Sequence, residues 1–134
     1  MKRHDTWPAL LTTFIEERRA LGFIWGANDC CLFAADWVRM ATGRDFADGI
    51  RGRYFSALGA ARVLKQYGGV FGLTERHAGL QRGTLTTAQR GDLLAHQMPG
   101  GLALGICLGA VGAYVGRDGI KFAPAADAAA VWKV

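Results

Sequence analysis

The chain has too few cysteines for a disulfide framework: three in 134 residues, two of them adjacent as Cys30 and Cys31, a spacing that rarely bridges. All three read as reduced thiols, which suits a cytoplasmic origin. No stretch approaches the roughly 18 apolar residues of a membrane span. The opening residues Met1-Lys2-Arg3-His4-Asp5 have no apolar segment behind their basic pair, so no signal peptide is expected. There is no Gly-rich phosphate loop, no metal-ligand pair at helical spacing and no Cys-x-x-Cys, so neither a metal nor another cofactor is expected. A nucleic-acid partner would call for a basic stripe interleaved with exposed aromatics, and none is visible. The net charge of +5, from 16 basic and 11 acidic residues, is spread without a block and reads as a solvated surface with paired arginines.

What is present is material for one globular domain over residues 1–134, with 51% hydrophobic and 20% charged residues. The first half reads as helices. Thr6 or Asp5 can cap a helix with Pro8 in its first turn, and Leu10, Leu11, Phe14, Ile15 and Leu21 form a stripe ending at Gly22. A second helix begins at Cys30, buries Trp37, Val38 and Ala41, and closes at Gly43. A third follows Ser56, and a short fourth spans about Val70 to His77. Beyond Gly83, short apolar runs alternate with Gly, Pro and Asp-Gly signals: Leu93 to Gln97, Leu102 to Leu108, Ala113 to Val115, Ile120 to Phe122 and Val131 to Val134. They predict an antiparallel meander of roughly four or five strands. Pro124 leaves room only for a loop or one turn before the last of them. Helices first and strands second indicate an α+β fold, with the helices packed on the sheet.

The most telling stretch is Trp25-Gly26-Ala27-Asn28-Asp29-Cys30-Cys31. Asn28 and Asp29 are good N-cap residues, and the helix behind them turns free backbone N–H groups and its positive dipole end toward Cys30. Both effects favour the thiolate, the nucleophilic form. The alternative is that Cys30 is a small buried apolar residue at a helix start. Cys31 and Cys107 read as core. If Met98-Pro99-Gly100-Gly101 is a hairpin turn, His96 lies directly opposite Ala103, with Cβ atoms about 5 Å apart. His4, in the N-terminal tail, and His77, at a helix end, have no motif around them.

These pieces resemble NlpC-type cell-wall peptidases of the papain-like superfamily. Leu21-Gly22-Phe23-Ile24-Trp25-Gly26 and Asp29-Cys30 are similar to that family's Trp-Gly turn and nucleophile. Arg90-Gly91-Asp92-Leu93-Leu94 resembles the Gly-Asp-Leu that opens its sheet, and Leu104-Gly105-Ile106 resembles the strand that follows its histidine. More narrowly, the chain from Leu21 to Val134 resembles a small branch of the superfamily encoded among phage and prophage tail genes. The resemblance implies a papain-like α+β fold and Cys30 as nucleophile of a peptidoglycan hydrolase. It also implies a peptidoglycan peptide as substrate, other tail-tip proteins as partners, and residence in the host cytoplasm during assembly and then in the virion tail.

The family's general base falls on Ala103, which cannot accept a proton, so His96 is the candidate replacement. Asp118 can orient it if the meander runs through a turn at Gly109–Gly112, but Asp118-Gly119 is also a turn dipeptide. Cys30 N–H and Asn28 are oxyanion candidates. Asp29 supports the site or acts purely as a cap, and Trp25 walls the cleft. Two functions remain open: a thiol hydrolase, and a structural tail-tip component that keeps the papain-like fold without its activity.

Overall fold

The sequence alternates from helical to strand periodicity near its middle, and the structure, a computed structural model, follows that change over the described residues 2–134. Helix α1 spans Trp7–Arg18, α2 Cys30–Thr42 and α3 Ala57–Gln66. Helix α4, Gly69–Phe71, runs directly into a π-helical turn at Gly72–His77. Six strands follow: β1 Gln81–Gly83, β2 Leu93–Met98, β3 Gly101–Cys107, β4 Val111–Gly116, β5 Gly119–Pro124 and β6 Ala130–Lys133. The architecture is α+β. No helix among the described residues is long and apolar enough to cross a membrane.

Each helix starts for a local reason. Pro8 occupies the first turn of α1, where its missing N–H costs nothing. Ser56 caps α3 by accepting from Gly59 N–H at 3.1 Å. Helix α1 stops at Arg18, one turn earlier than the apolar stripe suggests, because Leu21 is exposed rather than buried. Helix α2 is buried on nearly every side, with Leu32, Phe33, Trp37 and Val38 in the core and Gly43 closing it in the left-handed conformation.

The sheet is antiparallel with strand order β1-β6-β2-β3-β4-β5. It is therefore not the expected meander: β6 returns to the far side of β2 and inserts between β1 and β2. It also has six strands rather than four or five. The additional strand, Gln81-Arg82-Gly83, has no apolar residue, and only its pairing with β6 makes it a strand. Between β5 and β6 the chain makes a single 3-10 turn after Pro124.

Two apolar clusters mark the two faces of the sheet. Leu93, Ala95, Leu104, Ile106, Ala130 and Trp132 join the helices in one core. Leu94, Cys107, Tyr114 and Val131 form a second cluster with Ala125 and Ala128 on the opposite face. Strands β3 and β4 pair only at Ile106↔Ala113 and Cys107↔Gly112 and then part. The segment leading into α2 docks where they separate, with Phe23 N–H donating to Gly116 O at 3.1 Å.

Candidate thiol site at the start of helix α2

The motif loop closes on itself before the helix begins. Ile24 and Asn28 exchange two backbone hydrogen bonds, at 3.1 and 2.8 Å, around Trp25-Gly26-Ala27. Gly26, at φ +80°, stands where a Cβ would lie 2.2 Å from Tyr54 O. Only glycine permits both that conformation and that approach. The loop then delivers Asp29 to the N-cap, where Oδ1 accepts from Leu32 N–H at 3.0 Å. Asp29 Oδ2 accepts from Gly26 N–H at 2.9 Å and from the Tyr54 hydroxyl at 2.5 Å.

Asp29 is thus almost fully buried and satisfied by three donors, as a buried carboxylate requires. The Asp29 charge and burial push the Tyr54 hydroxyl far above its ordinary pKa, with burial the larger cause, so it remains a donor. Nothing in the sequence pointed to Tyr54. It lies 25 residues downstream of Asp29, in a Gly- and Arg-rich connection without periodicity.

Cys30 occupies the first helical position, partly accessible, with Cys31 buried behind it. The Cys31 thiol beside it lowers the Cys30 pKa, and the backbone N–H of Leu104 on β3 acts in the same direction. Burial and the Asp29 charge oppose them. The Cys31 thiol is held well above its ordinary value by Cys30 and by burial. Cys30 is thus the more acidic of the two thiols and Cys31 the one that keeps its proton.

Cys30 opens into a cavity of about 320 Å³ between α2, α3 and the β2–β3 turn. Trp25 forms part of its wall. One face of α3 forms another part of the lining, where Ala57, Ala60, Ala61 and Leu64 recur at helical spacing. Among the described residues, no cluster of three or more His, Cys, Asp or Glu side chains is placed to hold a metal ion.

The remaining candidates separate from the thiol. The β2–β3 register pairs His96 with Ala103 around the Met98–Gly101 turn. Side chains alternate across a strand, however. Leu93 and Ala95 face the helices and Leu94 faces away, so His96 faces away too. Its ring lies 5.6 Å from that of Tyr114. Ala103 shares this face with Gly105, where a Cβ would stand 2.4 Å from the Tyr114 ring. Neither His96 nor Ala103 is among the residues that line the Cys30 cavity, while the Leu104 N–H that meets the thiol directly follows Ala103 in the chain.

Asn28 also departs from the oxyanion expectation. Its Nδ2 donates to Leu21 O at 3.2 Å and Gly22 O at 3.0 Å, and its Oδ1 accepts from Arg18. Both of its donor hydrogens are committed to the loop. Asp118 sits exposed in the β4–β5 turn, not opposite Ala103, because Gly116 already pairs with Gly119. His77 stacks on Tyr67 at 4.8 Å, and His4 N–H donates to Ala41 O.

The fold and site together define an α+β protein with a thiol at a helix N-terminus, set in an apolar cleft. Residues 2–134 match the family described as a domain of unknown function, DUF6950, and the chain belongs to that family. No curated protein matches the chain in sequence.

Proposed function

We propose that this protein is a papain-like, NlpC-type thiol enzyme in which Cys30 forms an acyl-enzyme, carried in a phage tail and directed at peptidoglycan peptides. The observation that carries this reading is the position of Cys30: first residue of a buried helix, capped by a fully bonded Asp29, and open to a cleft. A thiol whose pKa is lowered supplies more of its nucleophilic thiolate, which attacks a carbonyl without a base. The N–H groups at the start of α2 are the donors that the resulting oxyanion would find.

A second reading has its own support. Among the described residues no histidine lines the cleft, which favours a tail-tip structural component that binds neighbouring subunits and has lost turnover. Purified peptidoglycan separates the two. The proposed enzyme releases peptide fragments, Cys30→Ala releases none, and His96→Ala behaves as the native chain because His96 faces away. If the native protein, free or in its assembled tail, releases nothing, the structural reading holds.

A further inference from the structure

The cleft's chemistry says which acyl donor suits Cys30, an inference that rests on Cys30 being the nucleophile. An amide releases its nitrogen only after that nitrogen takes a proton, so amide cleavage draws on a donor beside the thiol, for which this cleft offers the buried Cys31 thiol. The three histidines of the chain are placed elsewhere: His96 against Tyr114, His77 against Tyr67, and His4 beside Ala41. Among the described residues, no histidine, lysine or arginine lines the cleft itself. Its one carboxylate, Asp29, already receives Gly26, Leu32 and Tyr54. A donor whose leaving group departs as a stable anion needs no such proton.

The lining is also apolar. Ala57, Ala60, Ala61 and Leu64 face Ile50 and Leu102 across the cavity. Trp25, at its wall, stands 37% exposed. A charged acyl chain would lose hydration there without finding a partner. A short hydrocarbon chain would lose nothing and bury its methylenes, and about 320 Å³ is within the range of small-ligand sites.

We propose that Cys30 accepts an apolar acyl group from a thioester donor, with the acyl chain lying along the alanine face of α3. The Cys30 sulfur forms a bond to the acyl carbon while the donor's carbon–sulfur bond breaks, its electron pair leaving on the donor sulfur as a thiolate. The product is an S-acylated Cys30 and a free thiol of the donor, with no oxidant, reductant or delivered proton.

The test uses the full chain and N-acetylcysteamine thioesters carrying hexanoyl, acetyl or glutaryl groups, followed by intact mass and peptide mapping, with iodoacetamide labelling in parallel. The expected result is a hexanoyl adduct on Cys30 forming at least about tenfold faster than the acetyl adduct, because added methylenes are buried, with glutaryl slowest. The variant Ala60→Leu should remove the hexanoyl preference, so that hexanoyl and acetyl adducts form at similar rates. Rapid iodoacetamide labelling without an acyl adduct, or with equal rates for the three groups, overturns the inference and leaves the nucleophile assignment standing. A hexanoyl rate unaffected by Ala60→Leu also overturns it, since the chain would lie elsewhere. Iodoacetamide labelling no faster than in the denatured chain overturns the nucleophile assignment and this inference with it.

Discussion

Tyr114 holds its hydroxyl in the interior of the sheet's outer cluster, 2% exposed, and among the described residues neither it nor the neighbouring His96 Nδ1 has a hydrogen-bond partner. A buried hydroxyl left unmade costs about 1–3 kcal/mol. Tyr114→Phe keeps the ring over Gly105 and removes the cost, so its urea midpoint at neutral pH should equal or exceed that of the native chain. A clear fall would contradict this. Burial pushes the Tyr114 pKa up to about 12, against about 10 in an unfolded chain. Because the folded value is the higher one, this contribution to stability is complete below about pH 10 and is lost as the pH rises toward 12. The native chain should lose stability through that window in alkaline urea titrations, and Tyr114→Phe should lose less. The same residues show what a sequence can and cannot tell. The Pro99-Gly100-Gly101 turn made the pairing of His96 with Ala103 legible. The face on which the pair stands was not, because only the docking of the helices decides which face of β2 is inside.

At the scale of elements, the loop from Ile24 to Asn28 and helix α2 act as one device. The backbone bridge at Ile24 and Asn28 sets the loop, Gly26 lets it pass beneath Tyr54 O, and Asp29 joins loop, helix and Tyr54. Arg18 extends this device outward, bonding both Asn28 and Asp36, and Arg51 joins Asp36 to Asp45. Gly26→Ala should therefore both destabilise the protein, by about 1–3 kcal/mol for backbone strain, and slow the modification of Cys30. Denaturant unfolding and thiol alkylation measure the two effects, and native values in both would contradict the account. The helix start was legible because Asn28-Asp29 before an apolar run is a local signal. Tyr54 and the strand Gln81–Gly83 were not, since each is placed by a distant partner: Asp29 for one and β6 for the other.

Across the whole molecule, Asp92 ties the two termini to the sheet. It is fully buried and accepts from the Arg3 guanidinium, the Lys133 ammonium and the backbone N–H groups of Gln89 and Val134. The Arg90-Gly91-Asp92 segment also meets the core, since Trp37 Nε1 donates to Gly91 O at 2.8 Å. Asp92→Ala strands two cations against the sheet and should cost about 3–5 kcal/mol in thermal or urea unfolding; a loss under about 1 kcal/mol would make the hub unimportant. This frame holds β2 and β3 against α2, and so sets Leu104 beside the thiol. The most direct test of that arrangement is the pH dependence of iodoacetamide alkylation in the native chain, read residue by residue by peptide mass mapping. The account predicts that Cys30 is labelled while Cys31 and Cys107 are protected, with a midpoint below that of an ordinary cysteine. A midpoint at or above the ordinary value, or labelling no faster than in the unfolded chain, would contradict it.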